Sequence, residues 1–136
     1  MKKLIKRDLG FYQKLLQSNL SIIPIRETAK SHKPNLQSWA KYKTEAADEL
    51  ELLRWYSDNE TTSFGLVTGY NNLEAIDVDS KILPTKKDRD NFVNEYLELL
   101  DNHIDDFYKK FCIVKTQSGG YHILYKTNNV SNNTKI

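Results

Sequence analysis

With a single cysteine, Cys112, the chain can build neither a disulfide framework nor a cysteine cluster for zinc. Set in the apolar run FCIVK, that cysteine reads as a small buried hydrophobe rather than a nucleophile. Long hydrophobic runs are missing as well. None approaches the roughly 18 residues a membrane span requires, and the opening MKKLIKRDLGFYQ holds no continuous apolar segment of signal-peptide type. No membrane partner is expected, and a cytoplasmic location follows by default. Nor does charge of one sign dominate: Lys and Arg number 20 against 18 Asp and Glu, a net +2, too little to mark a nucleic-acid binder by itself. The distribution says more. Lys30, Lys33, Lys41 and Lys43 fall in one loop-like stretch with no acid between the first and the last, which suits either a phosphate or plain solvation.

What remains is the composition of a soluble globular protein, 39% hydrophobic and 28% charged with eight Tyr. A length of 136 residues suits one domain over residues 1–136, with residues 128–136 as a polar, Asn-rich tail. Residues 8–18 place Phe11, Leu15 and Leu16 at helical spacing, and SIIPI reads as a short strand in which Pro24 favours an edge or an end. The aperiodic stretch RETAKSHKPNLQSW reads as a loop. Thr44 is the expected N-cap of a helix over TEAADELELLRWYS, with Leu50, Leu53 and Trp55 as its buried stripe. SFGLVTG and LEAIDVD read as adjacent strands in a hairpin, and the segment KKDRDNFVNEYLELLDNHIDDFYKK as one long helix facing inward through Phe92, Tyr96, Leu99 and Leu100. FCIVKTQ and YHILYKT form a second expected hairpin. The order predicts an α+β fold with a mixed or antiparallel sheet covered by helices.

Two short stretches carry chemistry. In LEAIDVDS, alternation of an extended chain puts Leu73, Ala75, Asp77 and Asp79 on one face and Ile76 and Val78 on the other. Two carboxylates side by side repel unless a cation lies between them, and a divalent metal is the usual solution. In TQSGGYHILYK, Gly119 and Gly120 let the backbone bend closely after Ser118, exposed amides there can form an anion-binding concavity, and His122 follows at the head of a strand. The ordinary readings are an Asp pair that caps a turn or meets lysines, and a structural strand-end histidine. Among functional readings, a dehalogenase-like phosphatase also spaces two Asp by one residue, yet Ser80 and Lys81 replace the Gly and Thr expected after the second acid. A metal-dependent glycosyltransferase has little room in 136 residues. Two-metal nucleotidyl transfer, with ions about 4 Å apart, is the third.

Taken in order, IPI with HKPNLQSW, LLRWY, FGLVTGYNNLEAIDVDS and VKTQSGGYHILYK resemble the bifunctional primase-polymerase domain of the archaeo-eukaryotic primase superfamily, found in plasmid, phage and mobile-element replication proteins. The resemblance covers roughly residues 20–127. It implies an archaeo-eukaryotic primase-like core, with Asp77 and Asp79 as paired ligands of Mg²⁺ or Mn²⁺. It implies that Ser118, Gly119, Gly120 and His122 contact the triphosphate of an incoming nucleotide. The catalytic set would be Asp77, Asp79 and His122, and the reaction attack of a 3′ hydroxyl on an α-phosphate. Nucleoside triphosphates, template DNA and a replicative helicase domain or protein are the implied partners. Lys33, Pro34 and Trp39 match early family positions without an assigned catalytic step, and Trp39 and Trp55 read as core residues. The family's third acid lies on a strand downstream of the histidine, and no such segment occurs in TNNVSNNTKI. The resemblance thus implies either a fragment of a larger protein, its family core truncated, or a shortened relative, and the alternative to an enzyme is a non-catalytic nucleotide- or protein-binding module on the same fold.

Overall fold

The computed structural model describes residues 6–79, 83–115 and 120–128. The chain forms two compact units that meet between Leu73 and Glu74, and together the elements are α+β.

The first unit holds two helices and a three-stranded sheet. Helix α1, Leu9–Gln17, starts where Asp8 accepts a hydrogen bond from the Phe11 amide at 3.0 Å. It buries Tyr12 with Leu9, Leu15 and Leu16 against Ile22 and Leu52, while Phe11 stays exposed. Strand β1, Ile22–Glu27, is central, pairing antiparallel with β2, His32–Pro34, and with β3, Ser63–Leu66. Both of its faces are covered. Ile22 joins the α1 cluster, and Ile23 and Ile25 pack with Tyr42, Ala47, Trp55 and Val67.

Pro24 thus sits inside the central strand rather than at an edge. Its carbonyl accepts from the Asn35 amide at 2.8 Å, so the donor it lacks would have pointed to the same side, at the point where β2 has ended. The β1–β3 ladder loses nothing. Strand β2 itself lies inside the stretch expected to be a loop. It is extended because it pairs with β1, Arg26 opposite Lys33 and Glu27 opposite His32, around a turn closed by Thr28 and Ser31.

Helix α2, Glu49–Ser57, is capped by Asp48, which accepts from the Glu51 amide at 2.8 Å, and not by Thr44. Thr44 instead ends a 3-10 turn over Ala40–Lys43. The buried stripe is Leu52 and Trp55; Leu50 and Leu53 face outward. Trp55 is in the core as expected, but Trp39 is 38% exposed, with the Lys43 ammonium 4.9 Å from its ring centre.

Buried Tyr42 donates its hydroxyl proton to Glu51. Burial, then the hydrogen bond and charge of Glu51, push its pKa up to about 12 from 10.0. Between these two values the unfolded chain loses a proton the folded protein keeps, so folding stability is intact below pH 10 and falls as pH rises through that window. In Tyr42→Phe, urea unfolding across the same window should show a shallower fall. An identical slope in both proteins would clear Tyr42 of the effect.

The second unit contains β4, Leu73–Val78; α3, Lys86–His103; α4, Phe107–Lys110; β5, Cys112–Lys115; and β6, Tyr121–Lys126. Thr85 caps α3, accepting from the Asp88 amide at 3.1 Å. The long helix expected here stops at His103, where Ile104 turns extended, before Asp106 in a left-handed conformation (φ 57°) leads into α4. Its inward face is Val93, Tyr96, Leu97 and Leu100, while Phe92 and Leu99 are exposed.

Strands β5 and β6 make the expected antiparallel hairpin, and the sheet order is β4-β6-β5. The hairpin expected between β3 and β4 does not form; β4 pairs in this sheet and β3 in the other. Gly69 (φ 91°), Asn71 (φ 49°) and Asn72 (φ 62°) turn the chain between them through left-handed conformations that Gly and Asn tolerate. Ile76, Val78, Ile113, Tyr121 and Ile123 bury one face of the sheet against Val93, Leu97, Leu100 and Phe107. Cys112 is exposed rather than buried, since it alternates with inward-facing Ile113 on an edge strand.

Candidate functional site

Because the odd-numbered positions of β4 alternate with the core positions Ile76 and Val78, Asp77 and Asp79 are left exposed. The same alternation in β6 sets His122 opposite in phase to buried Ile123. The outcome is a direct approach between the two motifs: His122 Nε2 lies 3.5 Å from Asp77 Oδ1, with 47% and 70% of the two side chains exposed. On the core side of these strands Tyr125 hydrogen-bonds Glu74, and burial first, then that bond, raises the phenol's pKa. The contacts 74 to 125 and 77 to 122 run in opposite senses along the two chains, as in an antiparallel pair. Glu74 and Asp77 are three residues apart, so they leave opposite faces of the strand.

An exposed contact of this kind adds at most about 1 kcal/mol to stability. Its interest is positional. Two acids and an imidazole stand on the face of the second unit that the helices do not cover, 43 or more residues apart in sequence and held by backbone pairing. Val114, opposite His122 in the β5–β6 register, lies on that face too and is exposed. Gly120 is buried immediately before β6. Ser118 and Gly119, the other residues of the expected triphosphate motif, lie outside the described residues.

Among the described residues no three His, Cys, Asp or Glu side chains converge as a ready-made metal cage. The donor set that exists fits a different kind of binding. Mg²⁺ is usually held by one or two carboxylates and completes its octahedron with water and substrate phosphate oxygens, and a solvent-facing Asp pair leaves those positions open. Asp106 is not a third ligand in this arrangement; it begins α4 and pairs with Lys109 at 3.9 Å.

In the first unit, Lys33 and Pro34 are on β2 and line a notch of about 470 Å³ with Arg26, Thr28, Ser31, Asn35, Leu36 and Gln37. Arg26 carries no motif, and only the pairing of β1 with β2 reveals that it faces Lys33.

The family model described as "Bifunctional DNA primase/polymerase, N-terminal" matches residues 13–135. The chain belongs to this family, and it is a primase/polymerase-type domain whose membership implies interaction with nucleotides and DNA. No curated protein matches it. No helix among the described residues is long and apolar enough to cross a membrane.

Proposed function

We propose that the exposed face of β4 and β6 binds the triphosphate of an incoming nucleotide together with Mg²⁺ or Mn²⁺, and that the domain, once a third carboxylate completes its metal set, transfers the nucleotide to a 3′ hydroxyl on a DNA template. The observation that supports this reading is the 3.5 Å approach of His122 to Asp77. A nucleotide needs its metal-binding carboxylates and its phosphate donors within one pocket, and Asp77 and His122 approach each other on these strands. Asp77 and Asp79 would hold the ion. Bound there, the ion would neutralise phosphate charge and polarise the oxygens at the reacting phosphorus.

The chain's own part is positional. His122 can turn its Nε2–H from Asp77 to a phosphate oxygen, a charge-assisted bond, and the glycines before β6 let the phosphates approach the backbone closely. The hydroxyl attacks the α-phosphate directly, pyrophosphate leaves, and no covalent enzyme intermediate forms. A mobile-element replication protein working with a helicase is the setting the family resemblance suggests.

Titration of Mn²⁺ with a nucleoside triphosphate into the wild-type chain and into Asp77→Ala tests the reading. Outer-shell partners of bound metals already cost about 10–100-fold in affinity when removed, so loss of a direct ligand should weaken binding at least tenfold by the same measure. Equal affinity in the two proteins would remove the metal-nucleotide site.

A further inference from the structure

None of the residues lining the notch on the first unit is among those assigned to the nucleotide site, and its electrostatics ask for a ligand. Arg26 and Lys33 face each other directly across the β1–β2 pair, and like charges so placed destabilise a sheet. Arg26 is partly compensated by Glu60 at 2.9 Å. For Lys33 no carboxylate lies within ion-pair distance among the described residues. Thr28, Ser31, Asn35 and Gln37 add polar groups around the two cations, although Asn35 is engaged with Thr61 and Asp58. At about 470 Å³ the notch is in the range of small-ligand pockets. An anion would relieve the repulsion.

A second feature adjoins it. Trp39 follows the notch residue Gln37 by two positions, within about 7 Å along the chain, and it is exposed with Lys43 over its ring at 4.9 Å. A cationic notch beside an exposed aromatic ring is the combination that single-stranded nucleic acid uses, phosphate on the cations and an unpaired base on the ring. Duplex bases are stacked on one another and offer no such face.

We infer that the surface formed by Arg26, Lys33, Trp39 and Lys43 binds the phosphate backbone and one unpaired base of a single-stranded nucleic acid. The inference rests on the domain acting on a template. Its test does not depend on catalysis.

Binding of a fluorescein-labelled single-stranded DNA to the full chain is followed by anisotropy in EDTA, so that the acid pair holds no metal. Loss of one phosphate contact in Lys33→Ala should reduce the slope of log affinity against log salt by about 0.7. Trp39→Ala should lower affinity about fivefold or more, and Trp39→Phe should restore most of it. Circular dichroism and thermal unfolding confirm that each variant is folded, and Lys33→Ala alone decides if Trp39→Ala is not. A free nucleoside triphosphate or inorganic phosphate, at equal phosphate concentration, should compete poorly. An unchanged salt slope in Lys33→Ala overturns the inference, as does free triphosphate competing as well as DNA, which would make the notch a nucleotide pocket. Mn²⁺-dependent triphosphate binding, measured on the same Lys33→Ala protein, reports separately on the site of β4 and β6.

Discussion

Phe107→Ala is expected to lower the stability of the folded chain by about 3–5 kcal/mol, the usual range for an aromatic removed from a packed core. Phe107 is 1% exposed. Its ring meets Tyr108 edge-on at 5.1 Å and Phe111 at 4.9 Å, and it shares a cluster with Val78, Val93 and Ile123. Helix α4 has only four residues, Phe107–Lys110, too short to persist without that anchor. Val78 and Ile123 flank Asp77 and His122 in sequence, so the cavity left behind loosens the two strands that carry the candidate site. Triphosphate binding should therefore fall together with the urea midpoint. A stability loss under about 1 kcal/mol would mean the second unit collapses onto the cavity and that α4 is not its keystone.

How much of this was legible beforehand depends on where the determining forces lie. The β5–β6 hairpin and helix α1 could be read because their patterning and caps are local, and the fold class followed from element order. The phase of Asp77 against Ile76 and Val78 needed only the period of a strand, so the face on which the acids stand was readable too. Features set by distant partners were not. Strand β2 is three residues that become a strand only by pairing with β1, which also hid the opposition of Arg26 and Lys33. The partner of β4 is β6, across the whole of α3 and α4, and nothing in YNN announces that Asn71 and Asn72 will both adopt left-handed conformations. Local signals were also misweighted. Asp48 rather than Thr44 stands where a side chain reaches the Glu51 amide, and Tyr42 and Trp55, ring centres 5.3 Å apart, pack in the core while Trp39 stays exposed.

Binding and turnover should separate in the 136-residue chain, and the reason is a count of ligands. Asp77 and Asp79 suffice to hold one metal-nucleotide complex, since Mg²⁺ needs only one or two protein carboxylates when phosphates complete its shell. Activation of the primer hydroxyl in a two-metal mechanism calls for a second ion. Among the described residues no further His, Cys, Asp or Glu joins the pair to form a cage, and the remaining segments, MKKLI, SKI, TQSG and NVSNNTKI, contain none of these residue types. His122 is a donor to phosphate in this scheme and not a substitute carboxylate. Residues 1–136 should thus bind a nucleoside triphosphate in a metal- and His122-dependent way, with primer extension absent or very weak. Nucleotide binding by calorimetry and extension of a labelled primer in Mn²⁺, run side by side on the wild type, His122→Ala and Asp79→Ala, measure the two properties. Weak binding in His122→Ala with little extension in any of them is the expected pattern. Vigorous extension by the wild type, abolished in Asp79→Ala, would show that the count is wrong and that Asp105 or Asp106, at the start of α4, reaches the metal when substrate is bound.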